Sequence, residues 1–143
     1  MPNFSATSRA RLDSCDVALQ RLMEQVVQAI DITVLEGHRS EEQHAANVAA
    51  GKSRAVTSKH CLTPSRAVDV APWPIPKAWG SPGADHMYTG EEMKERAKFY
   101  YVAGIVLGLA HRMGIQVRWG GDWDSDREFT DQTFDDLVHF ELV

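Results

Sequence analysis

Apolar residues return at helical spacing early in the chain. Leu12, Leu19, Leu22, Met23, Val26, Val27 and Ile30 fall on one side, and Arg9, Arg11, Asp13, Gln20, Arg21, Gln25 and Gln28 can face water. This pattern predicts one amphipathic helix from about Ser8 to Ile30. Ile32 to Glu36 reads as a short strand that ends in Gly37-His38-Arg39. Ser40 and Gln43 form a capping-box pattern for a second helix that stops at Gly51. Arg39 therefore falls at a strand-to-helix junction, where functional side chains are common. A basic loop, Lys52 to Thr57, leads into Ser58-Lys59-His60, and residues 61–65 read as a turn. Arg66 to Ala71 alternates, with Ala67, Asp69 and Ala71 on one face and Val68 and Val70 on the other.

Residues 72–90 carry Pro74, Pro76, Gly80, Pro82 and Gly83, which predicts a long loop. Thr89 and Glu92 make a second capping box, opening a helix to about Met113 that Gly114 closes. Val102, Ile105, Val106, Leu109 and Met113 form its apolar stripe, and Gly104 and Gly108 share a side that another element could approach closely. Ile115 to Trp119 is the next expected strand, broken by Gly120-Gly121, and Asp122 to Asp135 is an acidic loop carrying Trp123. In the final strand Val138, Phe140 and Leu142 point one way, so His139 and Glu141 point away from the core. The expected architecture is one α+β domain over residues 1–143: a small, mainly antiparallel sheet with helices packed on one side.

The totals narrow the function. With 143 residues and 43% hydrophobic positions the chain is long enough for one real core. No run approaches the ~18 apolar residues of a membrane span, so stable membrane insertion is not expected. The N-terminus lacks the basic-then-apolar order of a secretory signal, which suggests synthesis in the cytoplasm. A formal net charge of −5 argues against nucleic acid as the main partner. Two cysteines, Cys15 and Cys61, are too few for a disulfide framework.

His60, Asp69 and His139 all sit where a packing role is poor. Asp69 lies mid-strand among alanines, where an unpaired charge is costly and a cation would remove the cost. Two histidines and a carboxylate suit a catalytic zinc ion, which takes three protein ligands and keeps a fourth position open. Asp136 stands three residues before His139 and could act as a general base. Histidines are often simply surface residues, and spacing alone leaves a metal-free reading open. Cys61 and His86 rank below His60 as ligands, and His38, His44 and His111 read as surface or junction residues.

Together, Ser58-Lys-His60, Ser65-Arg-Ala67-Val-Asp69-Val-Ala-Pro72, Gly120-Gly-Asp-Trp123 and Asp136-Leu-Val-His139-Phe-Glu-Leu carry a resemblance. They resemble the zinc peptidases of the D-alanyl-D-alanine peptidase type, and among these the phage endolysins that act as L-alanyl-D-glutamate peptidases. Glu36-Gly-His-Arg39-Ser with Gln43 and Gly51-Lys-Ser53 is similar to the family's N-terminal block. The resemblance implies that His60, Asp69 and His139 bind zinc, that Asp136 is the general base, and that Arg39 lies over the scissile carbonyl. It places Ser58 in the site wall. The first histidine and the aspartate are nine residues apart here, wider than in much of the family, with Thr63-Pro-Ser65 in place of a glycine. The extra residues can bulge in a turn. Asp also replaces the Glu that many relatives use as base.

Around this centre, Trp123 and Trp73 are candidates to line a substrate cleft, and Glu141 is either a rival base or a partner of His139. Asp135 reads as a solvated acid. Lys52, Arg54, Lys59 and Arg66 could attract the carboxylates of a bacterial peptidoglycan stem peptide. The implied function is zinc-dependent cleavage of L-Ala–D-Glu by a monomeric enzyme during phage-induced lysis, reaching the wall through a separate membrane lesion. The alternatives are a D,D-carboxypeptidase or dipeptidase on the same scaffold, a non-catalytic wall-binding domain that keeps the zinc, and a zinc-free structural domain.

Overall fold

A computed structural model describes residues 2–53, 55–79 and 87–143. The element order is α1 (Ala6–Asp13), α2 (Val17–Ala29), β1 (Ile32–Glu36), α3 (Glu41–Ala49), β2 (Ala67–Pro72), α4 (Gly90–Met113), β3 (Val117–Gly120) and β4 (Asp136–Leu142), with a 3-10 turn at Lys59–Cys61. The strands form one sheet in the order β1-β2-β4-β3, and every neighbouring pair is antiparallel. The α+β class and the antiparallel sheet match the sequence expectation.

Register decides which side chains meet. Val68 lies opposite Phe140, and Trp119 opposite the same Phe140, so these apolar side chains share a face. They join Leu19, Leu22, Met23 and Val26 of α2 and Phe99, Val102 and Val106 of α4 in one buried core. On the other face Asp69 lies opposite His139, Ala67 opposite Glu141, and Arg118 opposite Glu141. One strand alternation therefore builds the core and presents a row of ionisable groups behind it.

The predicted helix over 8–30 is two helices. Asp16 caps α2 by accepting from the Ala18 amide at 2.9 Å. Between the helices the Asp16 amide donates to the Ser65 carbonyl at 2.7 Å, and the Ser65 amide donates to the Ser14 carbonyl at 2.9 Å. These non-local bonds and the buried Cys15 outweigh helix continuity. They also place the insert ahead of Asp69: Ser65 is fully buried against the helix junction.

Other differences are local. Ser40 accepts from the Gln43 amide, but Gln43 turns its own amide to Asn47, so only half of that capping box forms. The box at Thr89 and Glu92 is complete. Gly104 and Gly108 lie on the exposed side of α4, where an added Cβ would meet nothing within 4 Å among the described residues. The buried side of α4 is carried by Phe99, Val102, Ala103, Val106 and Ala110.

Candidate metal centre and its cleft

His60 reaches the sheet from the 3-10 turn. Ser58 caps that turn, its hydroxyl accepting from the His60 amide at 3.2 Å. The Arg39 amide donates to the His60 carbonyl, which ties the turn to the end of β1. The ring is 1% exposed, and its Nδ1 donates to the Gly37 carbonyl at 2.7 Å. Its Nε2 is thereby left facing Asp69 and His139.

Three donor atoms converge there. His60 Nε2 and His139 Nδ1 each lie 3.1 Å from Asp69 Oδ1, and the two nitrogens are 3.2 Å apart. Zinc holds nitrogen and oxygen ligands at ~2.0–2.2 Å in a tetrahedron, whose edges are then about 3.3 Å. The donor set and its spacing fit such an ion. The outward nitrogens fit as well: like His60 Nδ1, His139 Nε2 is taken, donating to Glu141 Oε1 at 3.1 Å. Outward hydrogen bonds of this kind fix a ligating imidazole in the tautomer with its lone pair inward.

The electrostatics belong to one cluster. Burial disfavours an ionised Asp69, but hydrogen bonds from His139 and His60 hold its carboxyl well below the usual range. Burial opposes charge on His139, yet the bonds to Asp69 and Glu141 raise it to about 10. Glu141 is held low against its own burial by His139, Lys59 and Arg118, with Lys59 at 2.9 Å and Arg118 at 3.1 Å. Asp136 goes the other way. Burial, followed by the charge of Asp69, raises it to about 6. Its Oδ2 lies 4.0 Å from His139 Nδ1. Gly120 permits this placement, since a Cβ there would come within 2.3 Å of the Asp136 carbonyl.

A cleft of about 550 Å³ opens over the cluster, lined among others by Arg39, Lys52, Ser58, Trp123, Asp136 and His139. Trp123 donates its indole N–H to the Phe134 carbonyl at 2.8 Å, and its ring lies 5.5 Å from that of His139. Arg39 is clamped: its Nε and Nη2 donate to the two oxygens of Glu36 at 2.7 and 2.8 Å. That bond raises the pKa of the Arg39 guanidinium. Its Nη1 lies 3.5 Å from His44 Nδ1, and His44 Nε2 lies 3.0 Å from the Ala55 carbonyl.

The chain matches the model of the phage L-alanyl-D-glutamate peptidases over residues 2–143. It belongs to that family. Among solved structures it is similar to the L-Ala D-Glu endopeptidase ChiX of Serratia marcescens, with TM-score 0.63 and 24% identity over 99% of this chain and 90% of the other. At that identity the likeness carries the fold. No curated protein matches the chain. As a member of the phage L-alanyl-D-glutamate peptidases, the chain is a peptidase whose substrate is peptidoglycan.

Several expectations for this peptidase change. His44 is not a surface residue but 3% exposed, because it links Arg39 to the loop before Ser58. Asp135 is not a solvated acid; it pairs with Arg96 of α4 at 2.6 Å. Glu141 also lines the cleft but is bound to His139, Lys59 and Arg118, whereas Asp136, the other lining acid, lies 4.0 Å from His139 Nδ1. Trp73 is 56% exposed and does not line the cleft. Cys61 stays apart from the cluster, its thiol directed to the Ser40 carbonyl. Of the basic group, Lys52 and Lys59 line the cleft, whereas Arg66 donates to the Val143 carbonyl at 3.2 Å. Arg54 and His86 lie outside the described residues. Sequence reasoning missed Glu36 as the partner of Arg39. Strict alternation puts Glu36 with the buried Ile32 and Val34, but a register shift between Val34 and Glu36 brings Glu36 opposite Asp69.

Proposed function

We propose that this peptidase is a zinc enzyme that hydrolyses the L-Ala–D-Glu bond of the stem peptide during phage-induced lysis. The observation that carries the reading is the convergence of His60 Nε2, Asp69 Oδ1 and His139 Nδ1 within 3.2 Å of one another, with Asp136 beside them. These three residues would hold the ion. When bound, zinc supplies Lewis acidity that acidifies water and polarises a peptide carbonyl.

The chain's own residues supply the rest. Asp136 takes the proton of the attacking water and returns it to the leaving amine, and its raised pKa suits both roles. Arg39, held by Glu36, presents donors to the oxygen that gains charge. Trp123 forms a wall against which the peptide stacks, and Ser58 fixes the turn that carries His60. Lys52 attracts the stem-peptide carboxylates at the cleft. The enzyme acts as a monomer, made in the host cytoplasm and admitted to the wall after the membrane is breached.

Digestion of purified sacculi, followed by identification of newly freed amino groups, tests this reading. A free D-Glu amine is expected. Release of terminal D-Ala alone would replace it with the D,D-carboxypeptidase alternative, and binding without any released amine would replace it with the wall-binding alternative.

A further inference from the structure

Helix α3 buries one residue, and that residue is His44. A surface helix normally packs through apolar side chains. This one inserts an imidazole that is 3% exposed. A buried histidine bonded at both nitrogens is often no more than a satisfied core residue. The partners make the difference here. Nδ1 lies 3.5 Å from Arg39 Nη1, and Nε2 lies 3.0 Å from the Ala55 carbonyl. Arg39 and Ala55 both line the cleft over the metal centre. A guanidinium can only donate and a carbonyl can only accept. The ring therefore carries its proton on Nε2 and turns the lone pair of Nδ1 toward Arg39.

We propose that His44 is a positioning residue with one task per ring nitrogen: Nδ1 orients Arg39 for the chemistry, and Nε2 holds the loop that receives the substrate. This rests on the reading of Arg39 as the donor to the oxygen that gains charge. Glu36 takes the N–H of Nε and one N–H of Nη2, and His44 takes one N–H of Nη1. One N–H on each terminal nitrogen is then left for the cleft. The Glu36 side chain is 30% exposed and grips one edge of the guanidinium, and the buried His44 meets it from the other. The 3.5 Å separation is long, as catalytic hydrogen bonds often are before substrate tightens them.

Lys52, Ser53, Ala55 and Thr57 line the same cleft. Their loop starts at the end of α3, where the Lys52 and Ser53 amides donate to the Asn47 carbonyl at 2.8 and 3.3 Å. It ends at Ser58, which caps the turn carrying His60. His44 grips the stretch between these two anchors. One rigid ring thus couples the wall that meets the stem peptide to the donor that meets its reacting bond.

Two amides divide the imidazole. In His44→Asn the amide oxygen falls near the place of Nδ1, and the bond to Ala55 is lost. In His44→Gln the amide nitrogen falls near the place of Nε2, and the bond to Arg39 is lost. With the full chain supplied with zinc and a soluble stem peptide as substrate, His44→Gln should lower kcat about three- to tenfold and hold KM within about twofold. His44→Asn should raise KM by about three- to tenfold and leave kcat nearly unchanged. In an Arg39→Ala background, His44→Gln should cost nothing further in kcat. Equal changes of kcat and KM in the two variants, in step with a lower Tm, would make His44 a packing residue and overturn the proposal. So would a kcat loss in His44→Gln that persists undiminished without Arg39. Nitrogen NMR of the labelled parent needs no variant to fold: the His44 proton is expected on Nε2, and a proton on Nδ1 would contradict the assignment. Parental kcat in Arg39→Ala would remove the oxyanion reading and this proposal together. A slow Arg39→Ala beside a parental His44→Gln would remove the proposal alone.

Discussion

Two regions of this molecule gather negative charge, and they solve the problem differently. At the sheet, Asp69 is surrounded by imidazoles whose outer nitrogens are already bound, and the geometry is fixed by strand register and a capped turn. At the loop after β3, Asp122 is buried beside the exposed Asp124 and Asp126, and its Oδ2 accepts from the Arg127 amide at 3.0 Å. The first region mixes nitrogen and oxygen donors and is rigid; the second is all oxygen and open on one side. The donor mix and stiffness of the first region are those that suit a borderline, tetrahedral cation.

The largest expected effects come from breaking the first region. His139→Ala or Asp69→Asn should abolish stoichiometric zinc and reduce sacculus hydrolysis by at least ~10³-fold, read by metal analysis and amine release. Asp136→Asn should cost about 10²–10⁴-fold in kcat while zinc content and Tm hold, since it removes proton transfer and no ligand. Next comes Glu36→Gln. It loosens the Arg39 clamp without touching the cluster, so kcat should fall about tenfold with metal affinity unchanged; an equal loss of zinc would mean that Glu36 acts structurally.

Smaller still is Glu141→Gln. It weakens the bond from His139 Nε2, and zinc affinity should drop about 10–100-fold in a chelator competition. A proton effect accompanies loading. In the metal-free protein His139 keeps its proton up to about pH 10, so zinc must displace it. Zinc binding should therefore weaken as pH falls below that value and should release protons, which calorimetry in buffers of different ionisation enthalpy will detect.

Much of this was legible in the sequence because strands alternate. Val138, Phe140 and Leu142 claim the core, so His139 and Glu141 had to face the other way, and Asp69 among alanines had to face with them. What the sequence hid depends on contacts between distant residues. The break between α1 and α2 is set by Ser65, far along the chain. The register shift in β1 reverses where alternation would send Glu36. His44 is buried only because Ala55 returns to it, and Asp135 is paired only because α4 brings Arg96 across.

The most direct test of the central claim is zinc content measured alongside hydrolysis in the same preparations. The parent should hold one zinc per chain, lose hydrolysis when chelated, and regain it when one equivalent is restored, while His60→Ala neither holds zinc nor recovers. Full hydrolysis by metal-depleted parent protein would contradict the account.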